Sequence, residues 1–253
     1  MIFLVDAFAD RPFMGNPAAV VPLDAWPSEE WMQNVALEMN QAETAFFVPE
    51  GSGYRLRWFT PAVEVDLCGH ATLASAHVLF TELGMGDEVT FQTRSGPLAC
   101  KRTEEGIAMD FPSEPPYPEP FPHDIPGIKS LWSGRNRMDW FVQVASPEEV
   151  TSLVPPNAQI TNLRLRGLIV TAQGGNGVDF TSRCFFPQSG VNEDPVTGSA
   201  HCALAPFWAE RLGKSEVTGY QASRRGGTVR CQANENRVIL TGHSFTTLKG
   251  NLI

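Results

Sequence analysis

The chain is poor in basic residues, with 19 Lys and Arg against 28 Asp and Glu among 253 residues and a formal net charge of −9. Nucleic-acid binding depends on a dense positive field, so this balance argues against a polyanion partner. No apolar stretch approaches the roughly 18–20 residues of a membrane helix. Residues 1–5 have no basic leader and are followed by Asp6, so we expect no signal peptide and no contact with a membrane.

Cysteines are also few, and several catalytic motifs are missing. The five cysteines are odd in number, scattered and without a C-x-x-C, which favours a reducing, cytoplasmic compartment over a disulfide framework. There is no H-E-x-x-H, and His201-Cys202 is a lone pair on a helix, so no metal site is expected. Ser199 is not in a G-x-S-x-G elbow, which gives a hydrolase triad little support. No G-x-G-x-x-G is present, so no cofactor is expected.

One segment occurs twice in the chain. Residues 69–84 (GHATLASAHVLFTELG) and 198–213 (GSAHCALAPFWAERLG) share six identities over sixteen ungapped positions. Each copy follows a strand-like run that ends in Phe-x-Pro and then an acidic turn. A unit repeated about half a chain apart predicts two pseudo-symmetric halves, and a ligand would bind where such halves face each other.

Both copies predict a central helix. The first copy is apolar around almost its whole circumference, as is typical of a buried helix, and the second is similar until Glu210 and Arg211. Short strand patterns surround each copy, so we expect an α+β protein in which a curved sheet or open barrel wraps each helix. The proline-rich residues 112–122 exclude helix or central strand and predict a linker at about 112–127, between lobes at 1–115 and 116–253.

The starts of the two repeated helices are candidate anion sites. A helix N-terminus presents free N–H groups and partial positive charge, and Gly69 and Gly198 would let a ligand approach the backbone. Each glycine could instead only make a tight turn. Because two copies carry polar first-turn side chains, His70 and Ser199, we favour anion binding. Asp194 is either the N-cap of the second helix or an acid that complements a ligand there.

Glu43 is the candidate proton carrier. It is a lone acid at the entrance of an apolar strand, between Ala42 and a run that contains Phe46 and Phe47. Partial desolvation there would raise its pKa and suit it to exchange a proton near neutral pH. From the local pattern alone it could instead be an edge or turn carboxylate that caps neighbouring backbone, which is the commoner role of such residues. His77, further along its helix, is interpreted as a core or interface histidine.

Four separated motifs in the expected order resemble the signature of the PhzF family, the phenazine biosynthesis-like proteins, over essentially the whole chain. They are Asp6-Ala7-Phe8 with Gly15-Asn16-Pro17, residues 40–47, Phe59-Thr60-Pro61 with residues 67–72, and residues 193–200. The resemblance implies a diaminopimelate epimerase-like fold of two lobes, each a mostly antiparallel sheet around a central helix, and a homodimer. The C-terminal stretch 220–229 departs from the family's usual Gln-Gly-x-x-Met-Gly-Arg-Pro.

The resemblance also implies the reaction. In the characterised phenazine enzyme, which isomerises trans-2,3-dihydro-3-hydroxyanthranilate, the residue that matches Glu43 shuttles a proton. By resemblance His70, Asp194 and Ser199 complete the catalytic set, and Asn16, Gly69 and Gly198 bind a small carboxylate substrate. We therefore expect a cofactor-independent isomerase that uses a single base.

Two alternatives stay open. The related epimerases use two thiols, and here Cys68 matches the first while Pro195 occupies the second position. That excludes a two-thiol epimerase, but Cys68 opposite Glu43 could still serve a racemase or epimerase. The other alternative is a binding or regulatory protein that keeps the fold without turnover.

Overall fold

The computed structural model describes residues 1–122, 128–154, 157–161 and 163–252. Its strands are β1 Ile2–Ala7, β2 Asn16–Pro22, β3 Glu43–Glu50, β4 Gly53–Phe59, β5 Glu64–Val65, β6 Glu88–Thr93, β7 Gly96–Thr103, β8 Gly106–Pro112, β9 Tyr117–Pro118, β10 Trp132–Arg135, β11 Asp139–Gln143, β12 Gly167–Gln173, β13 Phe180–Phe186, β14 Val191–Asp194, β15 Glu216–Gln221, β16 Gly227–Ala233, β17 Arg237–Gly242 and β18 Ser244–Gly250. Its α-helices are α1 Glu29–Met39, α2 Gly69–His77, α3 Pro147–Ser152, α4 Asn157–Ile160 and α5 Gly198–Leu212.

The chain divides into two compact units. Unit 1 contains residues 1–110 and 241–253, and unit 2 contains residues 111–240. The division expected from the sequence, at 1–115 and 116–253, therefore needs correction at the C-terminus. Strand β18 pairs antiparallel with β1, so the last residues return to unit 1. Part of the predicted linker, residues 123–127, lies outside the described residues.

The sheet of unit 1 has the strand order β18-β1-β2-β3-β4-β6-β7-β8, and β5 pairs with the end of β4. Most pairings are antiparallel, as expected. The two parallel pairs are β2 with β3 and β4 with β6. Parallel neighbours need a crossover connection, and helices α1 and α2 supply the two crossovers.

The two crossover helices of unit 1 lie on opposite faces of the sheet. Helix α1 begins after Ser28, whose side chain accepts a hydrogen bond from the Trp31 amide, the bond typical of an N-cap serine. Its buried residues pack on one face with alternate strand residues, in a cluster that contains Ala19, Val21, Met32, Val35, Phe46 and Phe59. Helix α2 packs on β1, β2, β3 and β18, and all of its residues from His70 to His77 are buried.

Unit 2 repeats this plan. Its strand order is β9-β10-β11-β12-β13-β15-β16, with β14 paired to the end of β13. The parallel pairs are β11 with β12 and β13 with β15, and the crossovers contain α3 with α4 and then α5. The sequence of pairings from β2 to β7 therefore recurs from β11 to β16, which confirms the internal repeat at the level of topology.

Helix α5 packs on β15 and β16, and the indole N–H of Trp208 donates to Thr171 Oγ1 on β12. The opposite face of β12 contributes Leu168, Val170 and Ala172 to a core cluster with α3. The two helices predicted from the repeated segments are thus central helices, as expected. Gly213 ends α5 with φ +64, the left-handed conformation that glycine adopts without strain.

One helix boundary differs from the prediction. The first copy does not continue as an α-helix to residue 84. A π-helical segment, Val78–Glu82, follows α2, and the Leu83 amide donates to the Val78 carbonyl five residues earlier. Within the described residues, no helix combines the length and the apolar character that crossing a bilayer requires.

Candidate active site

Both central helices begin without a side-chain cap. The N-cap residues are Cys68 for α2 and Thr197 for α5, and neither side chain accepts a capping hydrogen bond from an amide of its own helix. Helix α1 and helix α3 differ, since Ser28 and Ser146 cap them. The first amide groups of a helix have no intrahelical acceptor. The first turns of α2 and α5 therefore lack the side-chain acceptor that an N-cap residue usually supplies.

At the start of α2, three predicted or considered residues form one cluster. Glu43 is the first residue of β3, and its carboxylate Oε2 lies 3.3 Å from Nε2 of His70. On the other side of the ring, Nδ1 of His70 lies 3.5 Å from Sγ of Cys68. The Glu43 side chain is 21% exposed, whereas that of His70 is 6% exposed. Unit 1 thus brings a partly buried acid, an imidazole and a thiol together.

Burial decides the charge of the imidazole. It lowers the pKa of His70 to about 3, so the ring is neutral at neutral pH. A neutral ring has one donor nitrogen and one acceptor nitrogen. A carboxylate beside Nε2 favours the proton on that nitrogen, and Nδ1 is then an acceptor for the Cys68 thiol. In this tautomer the neutral His70 ring has its Nε2–H beside the Glu43 carboxylate, at 3.3 Å and without the geometry of a hydrogen bond.

The same three side chains offer one ligand atom each within 4.8 Å of one another. A metal ion would need all three to point at one centre. The carboxylate lies against Nε2 and the thiol against Nδ1. The two nitrogens face away from each other on the ring, so an ion on either one meets only one of the other ligands. The cluster as arranged does not fit a three-ligand metal site.

The substrate-binding residues predicted in unit 1 are Asn16 and Gly69, on the elements β2 and α2. Asn16 is fully buried at the start of β2. Ala18, two residues later, is the register partner of Glu43, so Asn16 shares a sheet face with that carboxylate. Gly69 is the first residue of α2. Gly69 is not among the glycines with positive φ, so a left-handed turn does not explain this glycine.

At the start of α5, Asp194 is not the N-cap. That position belongs to Thr197, and Asp194 Oδ2 accepts the Thr197 hydroxyl proton at 2.5 Å. Buried Gln221 on β15 holds the turn together: its Oε1 accepts from the Thr197 amide at 2.9 Å, and its Nε2 donates to the Asp194 carbonyl at 2.7 Å. Gly198 is the first residue of α5 and is buried.

Ser199 has a partner that the sequence patterns did not reveal. Arg166 Nη2 donates to Ser199 Oγ at 3.0 Å. The same guanidinium forms a two-pronged pair with the carboxylate of Asp139 and stacks 4.4 Å from the centre of the Phe186 ring. Burial raises the pKa of Asp139, although Arg166 opposes that shift. No local motif marks Arg166, because its partners lie 27 and 33 residues away.

The remaining histidines of the two helices are structural. His77 is buried and its Nε2 lies 3.1 Å from Thr246 Oγ1, which agrees with its interpretation as a core residue. His201 is fully buried, and its Nδ1 donates to the Thr197 carbonyl at 2.8 Å. Thr72 takes the corresponding position in α2, where its hydroxyl donates to the Cys68 carbonyl. The pseudo-repeat therefore keeps this contact with a different side chain.

The buried histidines are expected to make the folded protein less stable at acid pH. Burial lowers the pKa of His70 to about 3 and of His201 to about 4, from 6.5. Below pH 6.5 these histidines bind protons in the unfolded chain but stay neutral in the folded chain. The free energy of unfolding therefore falls as the pH drops towards the histidine pKa values of the folded chain. We expect roughly 2–3 kcal/mol lost per histidine between pH 6.5 and 4.5.

Urea unfolding at pH 7.5 and 4.5 measures this loss. His201→Gln should reduce the pH slope by about one proton, because the titrating group is gone. His243→Gln is the control, since His243 is exposed. An equal slope in wild type and His201→Gln would contradict the assignment.

Comparison with known proteins gives matches over nearly the full chain. The family model of phenazine biosynthesis-like proteins, PhzC-PhzF, matches residues 5–250. An uncharacterized isomerase of Halalkalibacterium halodurans is 48% identical over 259 residues, covering 100% of this chain and 98% of the relative. An uncharacterized isomerase of Pseudomonas aeruginosa is 47% identical over 256 residues, covering 99% and 98%.

Solved structures give the same result. A PhzF family protein of Enterococcus faecalis superimposes with a TM-score of 0.93 at 45% identity, covering 98% of this chain and 97% of that one. A hydroxyproline epimerase of Agrobacterium vitis, at 10% identity, has a TM-score of 0.61 and covers 97% and 90%. The second likeness concerns the fold alone, and it agrees with the α+β, epimerase-like fold class predicted from the sequence.

Proposed function

Because the chain belongs to the PhzC-PhzF family of phenazine biosynthesis-like proteins, we propose that it is an isomerase that moves a proton within a small carboxylate-bearing metabolite. Two relatives, each covered over 98% of its length, carry the name isomerase, which supports this class of reaction. The observation that carries the proposal is the contact between Glu43 and a neutral, buried His70 at the uncapped start of α2.

Glu43 is the proposed base. It is partly exposed, so a ligand can reach it, and its neighbour His70 is almost completely buried. The neutral imidazole of His70 leaves the negative charge of the Glu43 carboxylate in place, whereas an imidazolium would neutralise that charge. Hydrogen-bond donation from Nε2 would orient the carboxylate, which leaves Glu43 able to accept a proton and return it.

The proposed reaction balances without a cofactor. Glu43 removes a proton from a carbon next to an unsaturated or carboxyl-bearing carbon, and the electron pair of the broken C–H bond moves into the conjugated system. The protonated Glu43 then returns the proton to another carbon on the same face. The double bond shifts, and nothing is oxidised, reduced or lost.

Substrate binding is assigned to the helix starts and the residues around them. Gly69 and Gly198 have no side chain over the first turn, and neither helix is capped by its own N-cap side chain. Backbone N–H groups and the helix dipole favour a carboxylate at such positions. Asn16, Asp194 and Ser199 are proposed to add polar contacts to the substrate.

Solvent exchange tests the proposal. Wild-type protein in heavy water is incubated with a metabolite extract and with a panel of small unsaturated and hydroxylated carboxylic acids, and deuterium uptake is followed by NMR. The expected result is deuterium at one carbon of one compound together with a shifted double bond. Saturable binding seen by calorimetry with no exchange in any compound would instead identify a non-catalytic binding protein.

The alternative with Cys68 as a second acid is disfavoured by geometry. Two acids on opposite faces of a carbon, each about 3–3.5 Å from it, stand roughly 6–7 Å apart. A Glu43 carboxylate oxygen and Cys68 Sγ lie within 4.8 Å, and His70 contacts both. The two side chains form a single cluster rather than two opposing faces.

Cys68→Ala is therefore expected to keep most of the activity. We expect the exchange rate to fall by less than about tenfold, whereas loss of one acid of a two-base pair would cost at least about a thousandfold. Cys100→Ala, a buried thiol on β7 of the same unit, is the matched control. A thousandfold loss in Cys68→Ala alone would identify an epimerase.

A further inference from the structure

Two hydroxyl groups lie at the start of α5, on Thr197 and Ser199, and each accepts a hydrogen bond from a neighbouring side chain. Gln221 Nε2 donates to Thr197 Oγ1 at 3.2 Å, and the Thr197 hydroxyl then donates to Asp194. Its proton is used within the turn. Ser199 differs, because its contact is with Arg166.

A guanidinium has only donors, so Ser199 Oγ must accept in its contact with Arg166. A hydroxyl that accepts from one side still has its own proton to donate on another. The charged donor also polarises the O–H bond, which makes it a stronger donor. Ser199 is only partly buried, so a ligand can reach this proton.

Arg166 is fixed in this position from two other directions. Its Nε donates to Asp139 Oδ1 at 2.9 Å and its Nη2 to Oδ2, and Phe186 covers the guanidinium plane. The Asp139 side chain is 1% exposed, so the carboxylate has little freedom to move. A Lys at residue 166 could satisfy the charge of Asp139 but could not hold the planar fork that also reaches Ser199.

We propose that Arg166, anchored by Asp139, is the positioning residue that fixes the Ser199 hydroxyl as a hydrogen-bond donor to the ligand. The inference rests on the proposed function, in which Ser199 contacts substrate, and it narrows the substrate class. The group that meets Ser199 is an acceptor, such as a carboxylate or carbonyl oxygen, and not an ammonium group.

Two probes that share an aromatic ring test the direction of this hydrogen bond, because one carries a hydrogen-bond acceptor group and the other a donor group. Benzoate offers only acceptors and benzylammonium only donors. Each is titrated into ¹⁵N-labelled protein, and the amide signals of Gly198 and Ser199 are followed. Saturable shifts with benzoate and none with benzylammonium are expected. No shift with benzoate, or a stronger response to benzylammonium, overturns the inference.

A double-mutant cycle tests the route through Ser199. Arg166→Lys and Ser199→Ala should each raise the benzoate Kd about tenfold, and the double variant should be no weaker than either one. Arg135→Lys is the matched control, because Arg135 is similarly exposed, pairs with Glu119 and lies over Tyr117. A further tenfold loss on adding Arg166→Lys to Ser199→Ala would show a direct or merely structural role and refute the positioning role.

A second variant keeps the test interpretable if Arg166→Lys does not fold. Asp139→Asn with Arg166→Gln replaces the ion pair by two amides, leaves no unpaired buried charge and should weaken benzoate binding about tenfold as well. Unchanged benzoate affinity in this variant would refute the role of Arg166. These titrations measure binding alone, so they can fail while solvent exchange succeeds, or succeed while no exchanging compound is found.

Discussion

Replacement of Glu43 by glutamine is expected to abolish deuterium uptake into the substrate, with a fall of at least about a thousandfold in the exchange rate. The amide has nearly the shape of the carboxylate but cannot accept and return a proton. The contact with His70 Nε2 can persist, because the amide oxygen also accepts hydrogen bonds. Substrate affinity should therefore change by less than about tenfold.

The control for this experiment lies on the same strand. Glu50 is at the other end of β3, where it is exposed and pairs with Arg55. Glu50→Gln should leave the exchange rate unchanged. If Glu43→Gln keeps wild-type exchange, Glu43 is not the base and the proposed mechanism is wrong. If both exchange and affinity vanish, circular dichroism must first show that the variant is folded, and a folded variant would assign Glu43 to binding.

The largest stability effect is expected at Arg183. Its guanidinium forms a two-pronged pair with Glu193, at 2.6 and 2.9 Å, and donates to the Leu153 carbonyl at the end of α3 at 2.6 Å. The Arg183 side chain is 9% exposed. Arg183→Met leaves a partly buried carboxylate and a helix C-terminus without their cation. We expect a loss of about 3–5 kcal/mol in the free energy of unfolding, measured by urea denaturation.

Two variants define what this loss means. Arg55→Met breaks an exposed pair with Glu50 and should cost less than about 1 kcal/mol. Adding Glu193→Gln to Arg183→Met should recover part of the stability, because the unpaired charge is removed. A loss below 1 kcal/mol in Arg183→Met would show that water enters and solvates Glu193. Glu193 and its neighbour Asp194 thus have different partners, since Asp194 faces Thr197.

Local sequence patterns were sufficient to predict the elements that bury one continuous apolar surface. The all-round apolar character of the repeated segments predicted two central helices, and α2 and α5 are central. Ser28 caps α1 and Gly213 stops α5, and both features depend only on residues that are neighbours along the chain. The π-helical turn after His77 was missed, because the apolar pattern of the segment continues without a feature that separates a π-helix from an α-helix.

The candidate site was only partly visible in the sequence. Glu43 and His70 were selected separately, one from its apolar flanks and the other from its helix start, and their 3.3 Å contact came only with the structure. Asp194 was correctly placed beside a helix start, but Thr197 is the N-cap. Arg166 and Gln221 had no pattern of their own, since what matters is the distant group each one bonds to.

The sequence by itself determined the repeated units, the central position of their helices and the residue types at each helix start, because these depend on periodicity and on neighbours along the chain. Only the tertiary structure decided that β18 joins β1 in unit 1, that His70 meets Glu43 and that Arg166 holds Ser199. Those contacts join residues far apart in sequence. They are selected by how strands pair and how charges are buried, and no local pattern records either.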